Sequence, residues 1–254
     1  MPRPGQMAML AKPIISSGGA SASPSVMAAG DMHFSATNVT LTGAEVASVV
    51  DLHDATNSLV AQSSSVRPAQ PAADAALGGA LSMTFSGDTL ISNKAASFWT
   101  FLHDGSPGYE VFMIGVPTSI SGDQSWMFSG YAPGIDHGQS GGNFYHVIQE
   151  GGGGAFVYAV PALGMVNGTA TYVNHSFSSA AGWALRRRGT SVSTGTQLGP
   201  PTPGASSQTL AVGWDGSNRM TFRLASLLVF KRVLSSGDRT IVQSWIQSTF
   251  GIAP

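Results

Sequence analysis

The sequence predicts an all-β protein, an antiparallel β-sandwich or jelly roll closed by a short C-terminal helix. Three observations predict it. Roughly a dozen short apolar runs are separated by Gly, Ser, Pro and Asp turns. Glycine supplies 32 of 254 residues, more than a helical domain tolerates. A single stretch, "GDRTIVQSWIQSTFGI" (237–252), carries a helical period.

A chain of 254 residues can bury a substantial core, and all-β domains of this size are commonly one unit, so one main domain is expected. Charged residues are only 10 % and the net charge is −1, which argues against a broad basic face for nucleic acid. Low charge also gives little protection against self-association and suits a protein that lives in an assembly. With no cysteine, a disulfide framework, a thiolate zinc site and a Cys nucleophile are excluded. The first thirty residues have no uninterrupted apolar core of signal-peptide type, because Pro4, Lys12 and Pro13 punctuate them. No stretch approaches the roughly 20 apolar residues of a membrane-spanning helix. Synthesis in the cytoplasm and no membrane insertion are the expectations.

Residues 1–33 read as an N-terminal extended arm or flexible leader, and 34–254 as the sandwich. The leader is rich in Pro, Gly, Ala and Ser without period, which suits disorder. Met7, Met9, Leu10, Ile14 and Ile15 make it more apolar than a solvated tail needs, which suits an arm that lies across a neighbouring subunit. Strand candidates follow. "VASVVDLHDA" (46–55) is β-branched and stops at a polar turn, and "SSSVRPAQPAADAALGGA" (63–80) is irregular and unfit for a central strand. "ALSMTFSGDTLI" (80–91) alternates Leu81, Met83 and Phe85 on one face. "SFWTFLHDGSPGYEVFMIGVP" (97–117) reads as two strands joined at Asp104–Gly108. Further candidates are 124–131, 143–150, 155–160, 170–177, 182–189, 208–215 and 220–234. Ser235 can cap the closing helix, Asp238 favours its positive end, and Ile241, Val242, Trp245, Ile246 and Thr249 form its stripe before Gly251 stops it.

Two stretches carry a resemblance. "SSSVRPAQPAADAALGGALSMTFSGDTLI" has an Arg-Pro and an irregular loop leading into a strand that ends in Phe-x-Gly. "LASLLVFKRVLSSGDRTIVQSWIQSTFGI" has a strand, a Leu-Ser turn and a helix finishing in an aromatic-Gly-Ile. Together they resemble the concanavalin A-like lectin/glucanase superfamily, in the laminin-G-like form found in bacteriophage structural and adhesion proteins. The resemblance spans roughly residues 46–252, sharp at its two ends and carried by strand rhythm between them. It implies two facing antiparallel sheets, the concanavalin A-like jelly roll, in a superfamily that includes lectins, enzymes and structural modules of viral particles.

The glucanase members place carboxylates on one strand in a Glu-x-Asp-x-x-Glu type arrangement. Only Glu45, Glu110 and Glu150 occur here, none with a second carboxylate two residues on, so no catalytic residue is assigned. The six histidines never adopt a compact metal-ligand spacing. Asp51, His53 and Asp54 suit a polar turn as well as a cluster. Asp104, Asp136, His137 and Asn143 could serve calcium or a sugar at loop tips, and plain turn chemistry explains them equally; no cofactor is indicated. In "LRRRG" (185–189), Arg186 and Arg188 share a strand face opposite Arg187, suited to an acidic glycan or to a charged edge. "GWDGSN" (213–218) reads as a hairpin turn with Trp214 at the strand end.

Sugars stack a C–H face on an aromatic ring while amides and carboxylates hold their hydroxyls. On that chemistry the candidate carbohydrate-binding residues are Trp126, Tyr131, Asp136, His137, Asn143 and Tyr145. The expectation is a non-enzymatic virion structural protein of a tailed bacteriophage, a lectin-like capsid decoration or surface protein. Its partners would be other virion proteins, reached through the N-terminal arm, and host-surface glycans. A homo-oligomer follows from the virion expectation. The alternatives are a tail-associated adhesion protein, a free lectin, or a glycoside hydrolase.

Overall fold

In a computed structural model, the described residues are 22–130, 133–141, 143–149, 155–159, 165–195, 205–214 and 216–254. Strands β1 (Met32–Thr42), β2 (Glu45–Asp51), β3 (Ser58–Val60), β4 (Ala69–Ala73), β5 (Leu81–Ser86) and β6 (Leu90–Ser92) form the first third. The middle holds β7 (Tyr109–Pro117), β8 (Asp123–Phe128), β9 (Gly134–Ser140), β10 (Asn143–Gln149) and β11 (Ala155–Ala159). Then come β12 (Thr171–Ser178), β13 (Gly182–Arg187), β14 (Thr190–Gly195), β15 (Ala211–Val212), β16 (Thr221–Phe230) and the helix α1 (Ser236–Phe250). The all-β expectation with one C-terminal helix is met.

Every strand pairing among the described residues is antiparallel, and β1, β2, β4, β5 and β16 close into a ring of five. Closure is possible because one edge of β16 is shared: Thr221–Leu224 pair with β5 and Ser226–Val229 with β1. From the ring, β7, β12, β13 and β14 extend on one side and β3, β6, β15, β8, β9, β10 and β11 on the other. The two extensions fold toward each other, for Trp126 of β8 packs on Phe222 of β16 with ring centroids 4.9 Å apart, and His137 of β9 stacks on His175 of β12.

Strands β7, β12 and β16 are buried on both faces, which is why 109–117 and 224–230 read as nearly continuous apolar runs. One face, with Val111, Met113, Val173, Leu227 and Val229, enters the main core. The other, with Phe112, Ile114, Tyr172, Leu228 and Phe230, meets Val242, Ile246 and Phe250 of α1. The helix is bounded as the sequence predicts: Ser235 Oγ accepts the Asp238 N–H, and Gly251 ends it in the left-handed conformation (φ 70°).

Four local expectations are corrected. Ala96–Leu102 forms a 3₁₀ helix where a strand was expected, since Trp99, Phe101 and Leu102 all turn into the core instead of alternating. Residues 134–140, expected as a loop, form β9, stabilised by neighbours on both edges. Within 208–215 only Ala211–Val212 is a strand, and Pro71 sits in the short, mostly exposed β4.

Residues 22–31 lie against α1 and the end of β16. Trp245 Nε1 donates to the Ala22 carbonyl (2.7 Å), Val26 and Met27 pack on the helix-side core, and Asp31 pairs with Arg232. His33 is wholly buried there, hydrogen-bonded to Ser23 Oγ (2.8 Å) and Ser226 Oγ (2.7 Å). Residues 1–21 lie outside the described residues.

Candidate functional site

Strand β9 brings Asp136 and His137 into the molecule on opposite faces, as successive strand residues must point. Asp136 accepts the Ser125 hydroxyl at 2.7 Å, and the Tyr145 phenol lies 3.4 and 3.5 Å from its oxygens while donating to the Gln124 carbonyl (3.3 Å). His137 instead shares a 3.1 Å hydrogen bond with the Tyr109 hydroxyl and stacks on His175, centroids 3.9 Å apart and planes 7° from parallel. Burial pushes the Tyr109 phenol well above its ordinary pKa, so it stays neutral at working pH.

Exposure decides what these groups can do. Trp126 is 1 % exposed, His137 2 % and Asp136 6 %, so none offers a face to a sugar. Burial therefore corrects the expectation for these three: they are interior residues that join β8, β9 and β12, a role their aromatic and polar character conceals in the sequence. Tyr145 is half-buried with its hydroxyl turned inward toward Asp136. Asn143 opens β10, its backbone paired with Ser140. Tyr131 lies outside the described residues.

The arrangement lacks a hydrolytic geometry among the described residues. Ser125 bonds to the Asp136 carboxylate, and the adjacent His137 faces the other way, so no histidine addresses the hydroxyl. Glu110 is fully buried and saturated by Arg239, Asn174 and the Leu234 N–H. Glu45 is at the surface near Arg67, and Glu150 lies outside the described residues. No three His, Asp or Glu side chains among the described residues gather as a metal site. Asp104 accepts the Ser106 N–H, Asp54 the Thr56 N–H and Asp51 the His53 N–H, which is turn chemistry, and Asp51 also accepts the His33 N–H from the neighbouring strand β1.

One aromatic lies differently. Of the five tryptophans, Trp99, Trp126 and Trp183 are buried, and Trp245 is engaged by Ala22, His33 and Phe250. Trp214 stands half-exposed on a surface hairpin, where it bridges to Arg219 in the backbone and carries the Arg219 guanidinium 5.7 Å from its ring centre. Arg219 also donates to the Gly87 carbonyl (2.9 Å), which ties the hairpin to the turn after β5. In that turn burial raises the Asp88 carboxyl, with the Ser86 N–H and Arg219 opposing the shift. The corner thus combines an indole, a guanidinium and a carboxylate, the kinds of group that hold a pyranose. The hairpin itself was legible from "GWDGSN"; its partner turn was not, because the Gly87 carbonyl meets Arg219 across 132 residues of chain.

No family model matches the chain, and no curated protein matches it. Solved structures do. The receptor binding domain of botulinum neurotoxin D is 12 % identical over 84 % of this chain and 52 % of that one, with a TM-score of 0.59. The fold is shared with that domain. The botulinum neurotoxin serotype D ligand binding domain in complex with N-acetylneuraminic acid is similar at 13 % identity, 84 % and 50 % coverage and a TM-score of 0.57. The chain spans about half the length of these neurotoxin domains. A sialidase carbohydrate-binding module of Ruminococcus gnavus, bound to α2,3-sialyllactose, aligns over 56 % of this chain and 82 % of that one at 15 % identity, with a TM-score of only 0.44.

Proposed function

We propose that the chain is a non-catalytic, lectin-like β-sandwich of the concanavalin A type that binds surface glycans. The observation that carries this reading is Trp214, the one tryptophan placed half-exposed on a surface hairpin with a cation on its ring and a carboxylate in the adjoining turn. A sugar's C–H face would lie on the indole while Arg219 and Asp88 bond to its hydroxyls. The shared fold supports the reading, since the neurotoxin domains that resemble it are named for receptor and ligand binding. Against catalysis stands Glu110, held by Arg239 and closed to substrate.

The setting we propose is the surface of a tailed bacteriophage particle, as a decoration of the head, assembled through the N-terminal segment. The resemblance over 46–252 and the low-charge, cysteine-free composition support it. Two experiments separate module from setting. Glycan-array binding that disappears in Trp214→Ala tests the module, and an array without a hit for the native chain defeats it. Antibody-gold labelling of particles tests the setting: head label supports decoration, tail label moves the chain to adhesion, and unlabelled particles leave a free lectin.

A further inference from the structure

Three of the nine arginines of this sparsely charged chain, Arg186, Arg188 and Arg239, meet on the helix side of the sheet. Arg186, Arg187 and Arg188 run into the tight turn between β13 and β14, and Arg239 approaches from α1. Elsewhere Arg67, Arg223 and Arg232 each lie within 4 Å of a carboxylate, and Arg219 covers Trp214. The three arginines of the run have no such carboxylate among the described residues.

The turn breaks a local rule. Arg188 and Gly189 are its two central residues, both with positive φ (47° and 77°), the type I′ geometry that favours Asn-Gly or Gly-Gly. Arg188 is the one non-glycine residue with positive φ among the described residues. Strain of this kind points to a constraint beyond folding.

The surroundings suggest what that constraint is. Beneath the turn, β12 turns Tyr172 and Asn174 toward α1 and β13. Arg186 donates to Asn174 Oδ1 (3.1 Å) and Ser176 Oγ (3.0 Å), and burial followed by the charge of Arg239 lowers its pKa. Arg239 is taken up by Glu110, the one carboxylate in ion-pair range among the described residues. Arg188 donates to the Ala170 carbonyl through Nη2 alone, leaving Nε and Nη1. The Tyr172 hydroxyl is buried without a hydrogen-bond partner. A Cβ placed on Gly189 would fall 3.3 Å from that hydroxyl and 2.6 Å from Gln243 Nε2, one helical turn beyond Arg239, so the missing side chain lets the turn approach both polar groups closely.

We propose that the junction of α1 and the β13–β14 turn binds an oxyanion, the carboxylate or sulfate of an acidic saccharide. Arg186 and Arg188 are its cationic contacts, and Tyr172 and Gln243 its neutral donors. The proposal rests on the glycan-binding reading and extends it to acidic sugars. It places their charged group on the helix side of the sheet, away from Trp214.

Titration calorimetry of the full chain with sialyllactose, lactose 6-sulfate, lactose and an oligothymidylate tests it. Arg188→Asn is the informative variant, because asparagine suits the turn and the melting temperature is expected to hold or rise. The acidic sugars should bind the native chain more tightly than lactose, weaken with salt, and lose about ten-fold or more in Arg188→Asn, while lactose binding is unchanged. Acidic sugars that bind no better than lactose, or that bind Arg188→Asn undiminished, overturn the site and leave the glycan reading standing. Oligothymidylate bound as tightly as the acidic sugars overturns the ligand class in favour of nucleic acid. If no saccharide binds, lactose included, the broader glycan reading fails with it.

Discussion

Arg239 of α1 grips Glu110 of β7 with two hydrogen bonds, Nε to Oε1 at 2.7 Å and Nη2 to Oε2 at 3.1 Å, and so bolts the closing helix to the sheet. The carboxylate has no exposure of its own and also receives Asn174 and the Leu234 N–H, at the point where the chain turns from β16 into α1. Replacing Arg239 with Met should cost about 3 kcal/mol or more, because the carboxylate is left buried and uncompensated. Adding Glu110→Gln should recover part of the loss. Urea unfolding of the two variants measures both effects.

His33 gives the fold an acid-sensitive joint. Burial, and secondarily His53, lowers its pKa from 6.5 to about 3. Between those values the unfolded chain binds a proton that the folded chain refuses, so this residue's contribution to stability falls as pH drops from 6.5 toward 3 and is level above 6.5. His33→Gln, which keeps a polar partner for Ser226, should flatten that part of the melting-temperature profile. A slope equal to the native one would show that other groups set it.

Trp126 and Trp214 should part company on mutation. Trp126→Ala empties a core position against Phe222 and is expected to cost about 3–5 kcal/mol, read by chemical denaturation. Trp214→Ala removes a half-exposed ring and should cost within about 1 kcal/mol while abolishing lactose binding on the same preparation.

Ser235→Ala removes the hydroxyl that accepts the Asp238 N–H at 3.1 Å. The expected loss is about 1 kcal/mol, visible as a lower melting temperature with an unchanged glycan profile.

Much of the fold was legible. The helix from Ser235 to Gly251, the doubly buried β16 and the glycine-punctuated strand rhythm all announce themselves locally, since capping chemistry and apolar period depend on neighbours a few residues apart. The candidate site was less so. Trp126, Asp136 and His137 have the composition of a sugar-binding loop, yet they sit on strands whose partners bury them. The 3₁₀ helix at Ala96–Leu102 was missed because three apolar side chains within four residues also suit a short strand.

By itself the sequence determined the class of structure: all-β, without disulfides, ending in one capped amphipathic helix, with a Trp hairpin at a recognisable turn, while its Arg run read as a strand and the structure places Arg188 in a turn. Only the tertiary structure decided which aromatics face water, that five strands close a ring, and that Arg239 meets both Glu110 and the Arg run. The reason is separation along the chain. Met32 pairs with Val229, and Glu110 meets Arg239, through contacts that no local pattern encodes, because burial of a strand face is settled by whichever distant strand comes to cover it.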